Sequence, residues 1–140
     1  MFYKTKKTSL NKLDDKLWKI FSKYIRLRDC NKKGLIKCIS CGKFKPWKES
    51  DAGHFISRRK KATKFNEKNV NAQCVYCNRF DQGSQYAHSK AIDRKYGEGT
   101  AEYLYNLSQV LTKLTRDWYE DTIKIYKEKT KKREKELGII

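Results

Sequence analysis

Lys37-Cys-Ile-Ser-Cys-Gly-Lys43, answered further on by Gln73-Cys-Val-Tyr-Cys-Asn-Arg79, decides the fold. Each stretch carries a Cys-x-x-Cys pair: Cys38 with Cys41, and Cys74 with Cys77. A tight turn in each brings two sulfurs onto one ion. Two such knuckles complete a tetrahedral set of four thiolates, the closed geometry of structural zinc. Buried or redox-active cysteines are the competing account, but two pairs of identical spacing in one short chain favour the metal. Cys30 is left over near the end of a helical stretch and reads as a plain thiol.

The segment between the pairs must fold as one small unit. Leu35 to Trp47 alternates like a short hairpin, with Gly42 just after the second cysteine and Pro46, the only proline, beside Trp47. Asp51 to Ser57 reads as another strand, Arg58 to Asn69 as a polar loop, and Val70 to Phe80 as a run leading into a helix. The core therefore spans 35–82. Outside it, Leu10, Leu13, Leu17, Ile20, Phe21, Tyr24 and Ile25 recur at helical spacing and predict a helix over 9–29. Ser9 or Asn11 would cap it, with Asp14 and Asp15 suited to its first turn. Ser84 to Tyr96 predicts a short helix stopped by Gly97. Leu104, Leu107, Leu111, Leu114, Trp118 and Ile125 predict one long helix from Thr100, whose basic end past residue 126 is expected to be solvated and fraying. Residues 84–140 are thus a helical region with a basic tail. The fold class expected is α+β: a single domain, 1–140, with a zinc-stapled core flanked by helices.

The charge balance speaks to partners. With 34 Lys+Arg against 16 Asp+Glu the formal net charge is +18, which attracts polyanions. Nucleic acid is the first candidate and an anionic membrane surface the second. An aromatic content of 13% is too high for a disordered basic tail. No apolar run approaches membrane-spanning length, and Met1 to Asp15 is basic without the apolar stretch of a signal peptide. A cytosolic location is expected, where metal binding is favoured over disulfides.

The order Cys-x-x-Cys, His54, Asn69, Cys-x-x-Cys, Asn78 resembles the HNH endonucleases, whose site is a ββα-metal, treble-clef unit. The resemblance implies His54 as general base, Asn69 as holder of the loop that orients it, and Asn78 as ligand of a catalytic Mg²⁺ or Mn²⁺. An Asn in the last place beside four cysteines looks most like the endonuclease VII subgroup. KCISCGK, DAGHFISR, FNEKNVNAQCVYCNRFDQG and the later KYG are similar to the NinG (Rap) family of bacteriophage recombination proteins, over roughly residues 18 to 110. That likeness implies a structure-selective endonuclease acting on branched DNA, such as Holliday junctions and D-loops, in the cytoplasm of the bacterial host. Symmetric cutting of a four-way junction would take two active sites and so points to a homodimer, although no residue identifies an interface.

One departure stands out. HNH enzymes usually carry an acidic or histidine metal ligand just before the base, and here that position is Gly53. Asp51, on the same strand face, is expected to take over, with Glu67 a weaker substitute. Alternatively His54 is itself a ligand and another group, or a metal-bound hydroxide, is the base. Arg58, Arg59, Lys60, Lys61 and Lys64 are expected to contact DNA phosphates, as is Arg79, with Lys43, Lys45 and Lys48 extending the face. His88 is not assigned to catalysis, and Trp18, Trp47 and Trp118 read as core residues. The competing functions are a zinc-stapled DNA-binding module without catalysis and an HNH nuclease that cuts duplex DNA without junction preference. His54, Asn69 and Asn78 separate the first of these from an enzyme; nothing in the sequence separates the second.

Overall fold

A computed structural model describes residues 8–81 and 84–139. The basic residues 1–7, part of the segment read as lacking a signal peptide, lie outside the described residues, as does residue 82, the expected end of the core. No helix among the described residues is long and apolar enough to cross a membrane.

The chain is a mixed α+β structure with two small antiparallel sheets and a long C-terminal helix. Helix α1 (Leu10–Arg28) is started by Ser9, whose hydroxyl accepts from the Lys12 amide at 3.2 Å. Strands β1 (Leu35–Lys37) and β2 (Phe44–Pro46) pair as the expected hairpin, with Gly42 at φ +77° in the knuckle between them. Strand β3 (Ser50–His54) pairs with β4 (Val70–Cys74), in register from Ser50 opposite Cys74 to His54 opposite Val70. A short helix α2 (Lys61–Lys64) lies in what the sequence suggested was all loop. A helical turn, Tyr76–Phe80, follows β4, and α3 (Gln85–Tyr96) ends at Gly97 as expected.

The core lies between α1, the β3–β4 ribbon and the last helix. Leu13, Leu17, Phe21 and Ile25 of α1 pack on Ala52, Val70, Tyr119, Ile123 and Tyr126. The other face of the ribbon holds a polar network. Arg28 forms a bidentate pair with Asp29 and donates to the carbonyls of Glu67 and Val70, while Lys95 and the Tyr96 hydroxyl reach the Asn71 side chain. Buried polar groups are retained where every partner is supplied, and here they lock the end of α1, β4 and α3 together.

Three expectations are corrected. The helix foreseen from Thr100 is two helices, α4 (Thr100–Ser108) and α5 (Arg116–Leu137), with Thr115 capping the second through the Trp118 amide at 3.1 Å. The break lets α5 present Tyr119, Ile123 and Tyr126 to α1, whereas Leu111 and Ile125 of the expected stripe are exposed. Second, the basic end of α5 does not fray among the described residues. Arg133 donates to the carbonyls of Leu27 at 2.9 Å and Cys30 at 2.8 Å, so the tail is fastened to the end of α1, where Leu27 O also accepts from the Cys30 amide. Arg116 reaches the Thr8 carbonyl at the other end, so α5 runs parallel to α1. Third, Asp14 is no first-turn residue. It is buried and meets Lys61, Lys64 and the Tyr119 hydroxyl.

Candidate active site and metal centre

The two cysteine knuckles meet as the sequence required. One ligand atom from each of Cys38, Cys41, Cys74 and Cys77 lies within 4.8 Å of all the others. The sulfurs of Cys41 and Cys74 are 3.8 Å apart. A tetrahedron with Zn–S of about 2.3 Å has edges of about 3.8 Å, so the donor set fits zinc in both chemistry and size. Backbone bonds shape the first knuckle: Gly42 N–H donates to the Cys38 carbonyl at 2.9 Å, and Cys38 N–H to the Lys43 carbonyl at 2.8 Å. Burial pushes the Cys77 thiol up to about 12 and raises Cys74 as well. A cation is what lets these groups ionise together.

His54 stands at the end of β3. Its Nε2 lies 3.0 Å from the Lys64 carbonyl, which can only accept, so Nε2 carries the proton and Nδ1 keeps its lone pair. The ring stacks on Trp18 of α1, centroids 4.7 Å apart with 23° between planes. Asn69 is fully buried just before β4. Its amide donates to the carbonyls of Ile56 and Thr63, both at 3.0 Å, and its oxygen accepts from the Ile56 amide at 2.8 Å. Asn69 therefore closes the 56–63 loop, and the next carbonyl after Thr63 is the one that holds His54.

A second group gathers beside it. Asp51 accepts from the Asn78 amide at 2.9 Å and takes a bidentate pair from Arg79 at 2.9 and 2.8 Å. These three line an open cavity with Trp18, Arg26, Lys48 and Ser50. Trp18 joins the two groups, since it both lines this cavity and stacks on His54. Gly53 lies against the Gln73 side chain: a Cβ there would stand 2.0 Å from Gln73 Oε1, so any larger residue requires Gln73 to move. With glycine at 53 supplying no side chain, Asp51 is the carboxylate of this strand face.

Residues 2–136 match the family described as Bacteriophage Lambda NinG protein. The chain belongs to the NinG family. No curated protein and no solved structure matches it.

Other site residues fall in different surroundings in this NinG-family chain. Glu67 is turned to α5, where it accepts from the Tyr126 hydroxyl at 2.8 Å and from Lys129, so it is not part of the Asp51 group. Lys61 and Lys64 both pair with buried Asp14, a buried carboxylate needing its counter-charge; the Lys61 side chain stays 43% exposed and that of Lys64 13%. Arg58, Arg59 and Lys60 are exposed. Arg79 is paired with Asp51, with its side chain still largely in solvent. Trp18 was legible only as a core position, and Gln73 gave no signal in the sequence beyond lying next to Cys74.

Both histidines are held neutral. Burial lowers His54 to about 4; the Lys64 carbonyl opposes this, and the charges of Lys64 and Arg58 add to it. Burial lowers His88 to about 4 as well, where it packs edge-on against Phe55. Above pH 6.5 neither state of the chain binds these protons. Below it, the unfolded chain takes up protons that the folded one refuses until about pH 4. Stability should therefore fall between pH 6.5 and 4 by about 1.4 kcal/mol per pH unit for each histidine. Urea midpoints measured from pH 7.5 to 4.5 should show this slope, roughly halved in His88→Leu; a flat profile would contradict it.

Proposed function

We propose that this chain is a divalent-metal-dependent endonuclease that cuts branched DNA in phage recombination, using a ββα-metal arrangement of the HNH kind. The observation that carries the reading is the clamp of Asn69 on the 56–63 loop, which fixes the Lys64 carbonyl and through it the tautomer of His54. A histidine serving only to pack needs no such device.

The chemistry divides among few groups. His54 Nδ1 accepts a proton from the attacking water, with Trp18 and Lys64 fixing the ring. Its low pKa keeps it unprotonated at neutral pH, and a phosphate drawn alongside would raise its basicity. Asp51 and the Asn78 amide oxygen are hard oxygen donors that would hold Mg²⁺ or Mn²⁺, which supplies Lewis-acid stabilisation of charge on the phosphate when bound. Two protein donors suffice for magnesium, which keeps most of its waters. Arg79, with its side chain 62% exposed, is free to swing from Asp51 to the phosphate, where its planar fork matches two oxygens. Arg58, Arg59, Lys60, Lys43, Lys45 and Lys48 supply sequence-independent phosphate contacts. Symmetric cutting of a junction would use two copies of the chain.

The second reading, a zinc-stapled DNA-binding module, is favoured by the Arg79 pair, which neutralises the only carboxylate lining this cavity. One experiment divides the readings. Labelled four-way junction and linear duplex of equal length are incubated with Mg²⁺, with Mn²⁺ or with neither. Junction cutting should require the metal and fall about 10²- to 10⁴-fold in a zinc-loaded His54→Ala variant. Equal cutting of both DNAs would remove the junction preference. Tight binding without cutting under either metal would make the chain a binding module.

A further inference from the structure

We propose that Tyr76 and Phe80 form a stacking platform for unpaired nucleobases at the centre of branched DNA. The inference rests on the reading of the Asp51, Asn78 and Arg79 face as one that meets DNA, and it adds a means of telling branched from fully paired DNA.

Both rings stand in solvent on one helical turn, Tyr76 67% and Phe80 73% exposed. They are four residues apart, which places them on the same side of the turn. Their centroids are 6.5 Å apart and their planes 28° from parallel, so the two rings act as neighbouring, similarly inclined surfaces. Aromatic rings left in water carry an unfavourable hydration cost that covering them relieves, and a pair of them beside a candidate site marks a surface that is covered in use.

The turn is built to hold still. Cys77 between the rings is a buried member of the cysteine cluster. Asn78 and Arg79 are tied to Asp51, and Asp81 N–H closes the turn on the Tyr76 carbonyl at 3.0 Å. A rigid aromatic surface loses little conformational entropy when it is covered.

Charge selects the occupant. Tyr76 lines a cleft whose charged residues are Lys43, Lys45 and Asp81, a net positive set, and Arg79 lies between the two rings in sequence. A second copy of a +18 chain would be repelled by these cations, whereas a polyanion is drawn to them. Planar bases carried on phosphates satisfy both features, because stacking on aromatic rings accepts any base and the lysines take the backbone. In intact duplex the bases are already stacked on one another. At a branch point or gap, bases freed from pairing are available to the platform.

The test reads binding without cutting. Full-length, zinc-loaded protein is titrated, with no divalent metal added, against a gapped duplex and a four-way junction carrying 2-aminopurine at the unpaired or branch-point position, and against fully paired duplex. Wild type should quench the probe and bind the gapped and branched DNA more tightly than duplex. Tyr76→Ala/Phe80→Ala should lose the quench and about tenfold or more in affinity for those two DNAs, with duplex affinity within about twofold. Tyr76→Phe/Phe80→Tyr should keep both. Equal loss on all three DNAs, or no loss on any, would overturn the platform. A mass that rises with protein concentration in wild type and not in the alanine variant, with DNA affinity unchanged, would assign the rings to self-association instead. Because no cutting is required, an inactive wild type that still quenches leaves the platform standing. A wild type that binds none of the DNAs defeats the underlying reading.

Discussion

Removing zinc is expected to unfold the segment 35–80 at neutral pH. Apart from Ala52, Phe65 and Val70, which pack with α1 and α5, the apolar burial there is thin. Apart from the cysteines of the metal cluster, its separate core is Cys30, Ile36 and Ala72, edged by Trp47 and Leu137. Strands β1 and β2 pair over only three residues each, too little to stand alone. The four thiolates join that hairpin to the end of β4. A structural zinc of this type contributes on the order of 10 kcal/mol, comparable with the whole stability of a small domain. Treatment with a strong chelator should release one zinc per chain and lower the cooperative melting temperature by tens of degrees. Cys74→Ser should do the same without chelator. A protein that contains no zinc by elemental analysis, yet melts unchanged after chelation, would remove the metal from the fold.

Asn69→Ala should be the most damaging single change away from the metal. It leaves the Ile56 and Thr63 carbonyls and the Ile56 amide without their partner in a fully buried place. At about 1 kcal/mol for each bond, with a further cost for groups left unpaired, a loss of roughly 3–5 kcal/mol is expected in urea unfolding. Function should fall further than stability alone explains, because the Lys64 carbonyl would no longer be fixed against His54 Nε2. Asn69→Asp separates the two effects. It can still accept from Ile56 N–H but cannot donate to the two carbonyls, and its charge has no counter-ion among them. The His54 ring signals in an NMR titration should then move toward the ordinary histidine pKa of about 6.5 in both variants. His54 signals identical to wild type in a folded Asn69 variant would show that the loop does not position His54.

Much of the candidate site was readable because the chemistry is local. The spacing of Cys38 with Cys41 and Cys74 with Cys77 puts each pair in one turn whatever surrounds it. Ser9 before an amphipathic run, and Gly97 after one, mark helix ends through backbone bonds only three or four residues long. His54, Asn69 and Asn78 were legible as a trio by their order in the chain, though not their contacts. The long helix from Thr100 was misread for the same reason. With no Gly or Pro to interrupt it, the pattern there looked continuous, and Thr115 became a cap only because α5 docks on α1.

What the sequence by itself determined is therefore the cysteine cluster, the hairpins around it, the first helix and the basic character of the chain, all set by neighbours in sequence or by composition. Tertiary structure alone decided the rest. It paired Lys61 and Lys64 with Asp14, which is buried 47 and 50 residues away from them, and drew Lys64 inward. It docked the basic tail, because α1 ends with carbonyls that Arg133 can reach. It laid Gln73 against Gly53 and brought Asp51 to face Asn78 and Arg79. Each of these outcomes depends on distant parts of the chain meeting, and a buried charge, a reachable carbonyl or a close contact acts only once they have met.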